Sequence, residues 1–353
     1  MTKLPMLVGT YTRDTDSEGI YVAVEGKPPE LVARCDNPSF LVKRQQGDVI
    51  YAVSEIDDYQ STNSGAVISF FAESNGQLTE MNQQSSMGAD PCHLTVSANG
   101  SYLVVSNYSG GTLTSMPLNG DGHLEQYISL TQHTGHSIDP DRQESAHIHS
   151  SLLVEDERAL LVADLGADQL IKYEISPAGQ INTEGRRVMA SIPAGAGPRL
   201  MTVRQNDVYL LNELNNSVTV HNLLDLGLKQ SLGTLSPGSA LDNALDYSAD
   251  ISSDSIAAHI ELSKDGKFLY TSNRGDDSIS IFSVEGDLRL IDTIASGGKH
   301  PRYFALSPDQ SKLYVANMLS DQISCFNRDA ESGRLTDSSI RIDVPTPTCL
   351  LFA

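Results

Sequence analysis

The stretch HLTVSANGSYLVVSNYSGGTLTSMPLNGDGHL, residues 93–124, decides the fold because its pattern recurs along the chain. Related stretches are HIELSKDGKFLYTSNRGDDSISIFSVEGDL at 259–288 and YFALSPDQSKLYVANMLSDQISCFNRDAESGRL at 303–335. Each copy has an apolar strand, a small polar turn, a second apolar strand ending in Asn, a third strand and a Gly turn. Four strands repeating every ~40–50 residues are typical of a propeller blade. The sequence therefore predicts an all-β propeller.

Weaker copies begin at Asn37, His147 and Gly197, and they bring the number of full copies to six. The two chain ends supply a seventh: TPTCLLFA at 346–353 resembles a first strand, whereas PMLVGTYT at 5–12 and GIYVAV at 19–24 resemble a second and a third. A blade built from both ends closes the ring and covers edge strands that would otherwise promote aggregation. We therefore expect one domain over residues 1–353, a seven-bladed β-propeller with four-stranded blades. A tandem of β-sandwiches would not explain the split copy.

The charge of the chain restricts its partners. Its formal net charge is -21, which argues against nucleic-acid binding and against binding to an anionic membrane surface. A small anionic substrate remains compatible, because a few local arginines can outweigh a diffuse negative field. The oligomeric state is not predicted.

The cysteines and the N-terminus indicate the compartment. Cys35, Cys92, Cys325 and Cys349 show no C-x-x-C spacing, which favours free thiols in a reducing environment over disulfides or a zinc site. The first residues, MTKLPMLVGTYT, lack the long apolar segment of a signal peptide, and no membrane span is expected. We therefore expect a cytoplasmic protein.

The least regular segment is Gly233 to Ser255, which is too long and too polar for a turn within a blade. A loop of this length is usually functional or disordered. A surface excursion and a lid over the channel mouth are both compatible with it.

The hairpin geometry predicts which residues line the central channel. The first two strands of a blade are antiparallel, so the start of strand one and the end of strand two lie at the same end of the propeller. The residues at strand-one starts are Ser39, Cys92, His149, Arg199, Ala258 and Arg302, followed in several blades by His93, Ser150, Leu200, His259 and Tyr303. The residues at strand-two ends are Thr10, Ser54, Asn107, Asp164, Asn212, Asn273 and Asn317, and those just beyond are Tyr11, Glu55, Tyr108, Leu165, Glu213, Arg274 and Met318.

Repetition separates framework from function within this set. Short polar residues at strand-two ends recur in every blade, as expected for side chains that bond the backbone of tight turns. By contrast His149, Arg199, Glu213, Arg274 and Arg302 change from blade to blade, and this mixture suits acid/base chemistry on a carboxylate or phosphate substrate. We predict that they form the active site. Of these, Arg302 is a substrate-binding candidate, and the other substrate-binding candidates are His93, His147, His259 and Asn273.

The histidines could alternatively converge on zinc, and the Asn, Asp and Glu side chains on calcium. Equivalent residues of different blades stand around a wide channel, so we favour a site without a metal. The chain has no G-x-S-x-G elbow, no P-loop and no dinucleotide fingerprint in a strand-to-helix context. We expect no cofactor.

Several stretches resemble the seven-bladed propeller lactonases, a family that includes propeller-type 6-phosphogluconolactonases and carboxy-cis,cis-muconate cyclases. They are VGTYT, DPCHLTVSANGSYLVVSNYSGG, HIHSSLL, GAGPRLMTV with LLNELNNSVTV, AAHIELSKDGKFLYTSNRGDDSISIF and HPRYFALSPDQSKLYVANMLSD. By motif, the resemblance implies catalytic roles for His149, Arg199, Glu213 and Arg274. The chain departs from the family at Leu200, where His is usual, and at His259, where an acid is usual.

The resemblance implies a lactone hydrolase that acts on a small anionic sugar lactone, with 6-phosphogluconolactone as the expected substrate. His149 or Glu213 would activate water, and the arginines would hold the anion and stabilise the oxyanion. The alternatives are a muconate-type lactonising cyclase and a non-catalytic propeller scaffold, because a fold alone does not determine function.

Overall fold

The computed structural model describes residues 5–184, 188–235 and 255–352, and within them the chain forms seven antiparallel sheets arranged as blades. The strands, in chain order, are β1 (Met6–Thr10), β2 (Gly19–Ala23) and β3 (Glu30–Arg34); then β4 (Leu41–Lys43), β5 (Val49–Ser54), β6 (Ala66–Ala72) and β7 (Leu78–Ser85); then β8 (Pro91–Val96), β9 (Tyr102–Asn107), β10 (Thr112–Pro117) and β11 (Ser129–Gln132). The chain continues with β12 (Ile148–Val154), β13 (Ala159–Asp164), β14 (Gln169–Ile175), β15 (Ile181–Asn182) and β16 (Val188–Ser191); then β17 (Pro198–Arg204), β18 (Asp207–Asn212), β19 (Ser217–Asn222) and β20 (Leu228–Gly233). The last strands are β21 (Ile256–Leu262), β22 (Phe268–Arg274), β23 (Ser278–Ser283) and β24 (Arg289–Ala295); then β25 (Pro301–Leu306), β26 (Lys312–Asn317), β27 (Gln322–Arg328), β28 (Leu335–Asp343) and β29 (Pro347–Phe352).

We number the blades from the first one complete in the chain. Blade 1 is β4–β7, blade 2 is β8–β11, blade 3 is β12–β16, blade 4 is β17–β20, blade 5 is β21–β24 and blade 6 is β25–β28. Blade 7 has the strand order β29-β1-β2-β3, so the predicted closure by both chain ends is confirmed. Two short 3-10 turns, Tyr59–Ser61 and Met318–Ser320, are the helical elements of the described residues, and neither is long enough to cross a membrane.

The core is divided between the blades. Seven hydrophobic clusters each fill one interface between neighbouring blades, including the interface between blades 6 and 7. The second strand of a blade is covered on both faces, which explains why sequences such as VIYAV and YLVV are continuously apolar rather than alternating. The first strands of adjacent blades contact one another around the axis and form the wall of the channel.

The recurring polar residues at strand-two ends belong to this framework. Asn107, Asn212 and Asn317 are fully buried, and each amide donates to hydroxyl groups of the third strand of its own blade. Asn107 and Asn317 also donate to the backbone carbonyls of Ser86 and Ser296, which precede their blades. These bonds join consecutive blades at the top of the propeller. The predicted segment Gly233 to Ser255 falls largely on residues 236–254, outside the described residues.

Candidate active site

A β-bulge places one residue at the start of the first strand on the channel axis. In blade 4, Pro198 pairs with Asn212 and Leu200 with Leu211, so Arg199 is the extra residue between them. The same irregularity leaves out Cys92, His149, Arg302 and Thr348 in their blades. A bulge re-aims the side chain of its extra residue. These residues, with Ser39 and Ala258, surround an axial cavity of about 20 Å³, room for about one water molecule.

We call the residue that each blade contributes to this cavity its axial residue. The residue two positions before it positions the side chain that follows the second strand. In five blades it is followed by proline and has positive φ: Asn37 at 43°, Asp90 at 53°, Gly197 at 68°, His300 at 61° and Thr346 at 41°. Its carbonyl accepts the N–H of the residue just beyond strand two. Glu213 N–H donates to Gly197 at 2.7 Å, and Glu55 N–H donates to Asn37 at 3.0 Å. The two glutamates are therefore held in equivalent positions beside the channel.

Glu213 is the centre of the first cluster. Its side chain is 1% exposed and contacts three guanidinium groups. Arg199 Nη1 donates to Oε2, Arg142 Nη2 lies 2.7 Å from Oε1, and Arg274 Nη2 lies 3.1 Å from Oε1. Arg199 and Arg274 are fixed further by hydrogen bonds of 2.6 and 3.0 Å to the carbonyls of Ala258 and Ala257. The predicted group of Arg199, Glu213 and Arg274 is thus a single buried ion network.

The charges of this network are strongly coupled. Burial disfavours ionisation of Glu213, but the guanidiniums of Arg199, Arg274 and Arg142 outweigh it and hold its pKa well below the usual value. Burial lowers the pKa of Arg274 to about 9; Glu213 opposes this fall, and Arg199 and Arg302 add to it. Glu213 is consequently a carboxylate that anchors arginines, and its low pKa makes it a weak base.

His149 adjoins this network in a defined tautomer. Its Nε2 lies 2.6 Å from Arg199 Nη1, and a guanidinium can only donate, so Nε2 accepts and Nδ1 carries the proton. Nδ1 lies 3.8 Å from Cys92 Sγ. Burial, reinforced by Arg199, lowers the pKa of His149 well below its ordinary value. The imidazole is neutral, and its acceptor nitrogen is occupied by Arg199.

Arg142 is a site residue that the repeat pattern could not reveal, because it lies in the connector at residues 133–147 between blades 2 and 3. Its backbone N–H donates to Asp139 Oδ1 at 3.1 Å, and the neighbouring Gln143, fully buried, donates to the carbonyl of Leu165 at 2.8 Å. Its guanidinium also donates to Tyr108 Oη at 3.2 Å. The side chain is 36% exposed, whereas those of Arg199 and Arg274 are 6% and 5% exposed. Arg142 is therefore the arginine of this network that solvent reaches.

A second cluster surrounds Glu55 and includes the predicted Arg302. Arg302 Nη2 donates to Tyr11 Oη at 2.5 Å, and its guanidinium lies over the Tyr11 ring at 4.9 Å from the centroid. Tyr11 in turn donates to Glu55 Oε1 at 2.9 Å, and Ser39 Oγ donates to Oε2. Arg302 Nη2 is 4.0 Å from Glu55 Oε2. This cluster comes from blades 6, 7 and 1, and the Glu213 cluster comes from blades 3, 4 and 5 with the connector, so the two occupy different sides of the ring.

The other predicted histidines lie outside both clusters. His147 is buried and stacks on Tyr108, with ring centroids 4.5 Å apart, and its Nε2 lies 3.1 Å from Glu144 Oε1. His93 packs against Phe40 and His259 against Tyr303 in a layer one residue further along the first strands. Burial, with a smaller effect of Arg199, lowers the pKa of both to about 3. Both imidazoles are neutral, and neither Nδ1 has a hydrogen-bond partner.

Asn273, predicted to contact substrate, has the surroundings of the framework residues. Its side chain is fully buried, and Nδ2 donates to Ser278 Oγ at 3.0 Å and to Ser280 Oγ at 3.1 Å. Its Oδ1 accepts from Thr234 Oγ1 at 2.6 Å. These hydrogen bonds engage the amide between blades 4 and 5, where the side chain has no exposed atom.

Within the described parts of the chain, no group of three or more His, Cys, Asp or Glu side chains is arranged to hold a metal ion. The ion networks instead combine glutamates with arginines, which repel a cation. What the arrangement can do chemically is bind an anion and polarise a carbonyl oxygen.

A seven-bladed ring with an arginine-rich cluster beside its axis agrees with the comparisons to known proteins. The family model described as "Lactonase, 7-bladed beta-propeller" matches residues 5–352. The chain belongs to this family.

Three similar proteins illustrate the relationship. The 6-phosphogluconolactonase of Bacillus subtilis is 30% identical, with 100% of this chain and 99% of that relative covered. The 6-phosphogluconolactonase of Formosa agariphila is 34% identical, with 94% of each chain covered. The structure of the Pseudomonas aeruginosa periplasmic gluconolactonase has a TM-score of 0.88 at 29% identity and covers 100% of this chain and 99% of its own.

Proposed function

We propose that this lactonase hydrolyses an anionic sugar lactone, with a phosphorylated lactone such as 6-phosphogluconolactone as its substrate, and that it does so in the cytoplasm. The observation that carries the proposal is the local charge. Four arginines, Arg142, Arg199, Arg274 and Arg302, face two glutamates, Glu213 and Glu55, so these six side chains carry two excess positive charges in a chain of net charge -21. A dianionic phosphate matches this excess.

The arginines have different parts in this proposal. Arg199 and Arg274 are immobilised by Glu213 and by backbone carbonyls, so they can stabilise the oxyanion of a tetrahedral intermediate without reorganising. Arg142 is partly exposed and reaches Glu213 from a connector, so its guanidinium can meet the phosphate of an incoming substrate. The names of the relatives support a lactone as the substrate class.

The test compares δ-gluconolactone with its 6-phosphate, using purified protein and measuring the proton released above spontaneous hydrolysis. A hydrogen bond to a charged group is worth ~1.5–3 kcal/mol, so Arg142→Gln should lower kcat/KM for the phosphorylated lactone by ~10–150-fold and change the other lactone far less. Arg158→Gln is the matched control, because Arg158 is 76% exposed next to the hairpin turn at the opposite end of blade 3. Absence of hydrolysis with every lactone, or an equal loss with both, would contradict the proposal.

A further inference from the structure

Both residues that the sequence suggests as the water-activating base are engaged by arginines, which makes them poor proton acceptors. Glu213 is held by three guanidiniums, and His149 Nε2 accepts from Arg199. If the site hydrolyses a lactone, as proposed above, another group must take the proton of the attacking water.

We infer that Glu55 is this general base. Its carboxylate has four lone-pair positions and uses two of them, one for the phenol of Tyr11 and one for the hydroxyl of Ser39. Its side chain is 16% exposed, and the nearest guanidinium, that of Arg302, is 4.0 Å away rather than in hydrogen-bond contact. Glu55 therefore combines a fixed position with a lone pair available to a water molecule.

The placement of Glu55 fits an attack across the mouth. Ser39, its hydrogen-bond donor, lines the same axial cavity as Arg199 and His149. A lactone whose phosphate is held by Arg142 would place its carbonyl between Glu55 and the pair Arg199 and Arg274. Tyr11 remains a phenol and a donor, because burial raises its pKa, an effect that Arg302 opposes and Glu55 reinforces.

The reaction balances without a cofactor. The water oxygen forms a bond to the carbonyl carbon while Glu55 takes one water proton, and the carbonyl oxygen becomes an oxyanion facing the arginines. Collapse of this intermediate breaks the bond between the carbonyl carbon and the ring oxygen. Glu55 returns its proton to that ring oxygen, and the new carboxylic acid ionises, releasing one proton to solvent.

The decisive variants are Glu55→Gln, which keeps the shape and removes the base, and Glu55→Ala, which leaves room for an external base. Loss of a general base costs ~10²–10⁴-fold in rate, so we expect kcat of Glu55→Gln to fall by this factor with KM changed less than about threefold. Added formate should restore part of the kcat of Glu55→Ala. It should not restore Glu213→Ala, because Glu213 positions arginines instead of moving a proton.

Glu80→Gln is the control in the same blade, since Glu80 is exposed on the outer strand β7. Glu55→Asp tests whether a loss of activity comes from the missing base or from misfolding. Glu55→Asp keeps the charge but withdraws it by one methylene, so it should fold and be slow. If the wild-type protein is active and kcat of Glu55→Gln is within about fivefold of it, the assignment of Glu55 as the base is wrong, whereas the proposed function stands. A wild-type protein without activity on any lactone would overturn the proposed function and the role of Glu55 together.

Discussion

Arg274→Met is expected to inactivate the enzyme while making the folded protein more stable. Arg274 is buried, with Nη2 3.1 Å from Glu213 Oε1 and 3.0 Å from the carbonyl of Ala257. Because the side chain is both buried and charged, we expect its replacement to change stability in the opposite direction to an ordinary core substitution.

The magnitude follows from the pKa of Arg274, which burial, with Arg199 and Arg302, lowers from 12.5 to about 9. At about 1.4 kcal/mol for each pKa unit, keeping this group charged costs the folded protein ~5 kcal/mol. The full cost is present below the folded-state pKa, because the guanidinium is then charged in the folded and the unfolded chain. It declines only as the pH rises from about 9 towards 12.5.

Methionine removes this cost and fills a similar volume. Glu213 keeps Arg199 and Arg142 as partners, so no buried charge is left alone. The lost hydrogen bond to Ala257 subtracts ~1 kcal/mol, and replacing buried ionic groups by apolar ones commonly stabilises by ~1–4 kcal/mol. We therefore expect the free energy of unfolding to rise by about 1–4 kcal/mol.

The assay pairs urea unfolding at pH 7 with lactone hydrolysis. Loss of one oxyanion donor should lower kcat by ~10²–10³-fold, and Arg274→Lys should also be slow, because an ammonium group cannot reproduce the planar fork. A variant that is both less stable and fully active would refute the reasoning on both counts. A stable but fully active variant would show that Arg274 is not part of the reacting site.

Two further predictions concern groups outside the Glu213 cluster. Burial raises the pKa of Glu261 from 4.5 to about 8, so the folded chain binds more protons than the unfolded chain between these values, and stability should fall as the pH rises through this window. Glu261→Gln should flatten that dependence in urea titrations at pH 5 and pH 8, and an unchanged slope would contradict the assignment. Hydrolysis should be unaffected by EDTA. Activity that is lost with EDTA and restored by calcium or zinc would contradict this prediction and would indicate that the channel histidines or carboxylates bind a metal ion.

The positions lining the channel could be predicted from the sequence because the repeat fixes them. Counting from the polar hairpin turn places His149, Arg199 and Arg302 at equivalent points, and a bulge then directs each of them to the axis. The bulge itself is not visible as a pattern of hydrophobicity. Proline at the preceding residue in several blades is the local signal, since proline occurs in strands at first residues and bulges.

Burial and partners could not be predicted in the same way. Arg142 has no counterpart in another blade, so repetition gives no information about it, and only the folded connector brings it to Glu213. Glu55 occupies the position equivalent to Glu213 in its own blade. The neighbouring sequence does not reveal that Tyr11 and Ser39 donate hydrogen bonds to it. Asn273 lies beside Arg274 in sequence, yet alternation along the strand turns its side chain into the blade interface.

The two glutamates show how one scaffold position can serve two purposes. Glu213 and Glu55 are held by the same backbone hydrogen bond, so the backbone does not distinguish them. The axial residue of the same blade does: it is Arg199 beside Glu213 and Ser39 beside Glu55. An arginine fixes the carboxylate as an anchor with a pKa well below normal, whereas a hydroxyl orients the carboxylate without neutralising it. The axial residue, which differs between blade 4 and blade 1, is therefore the position that sets the chemical role of the neighbouring glutamate.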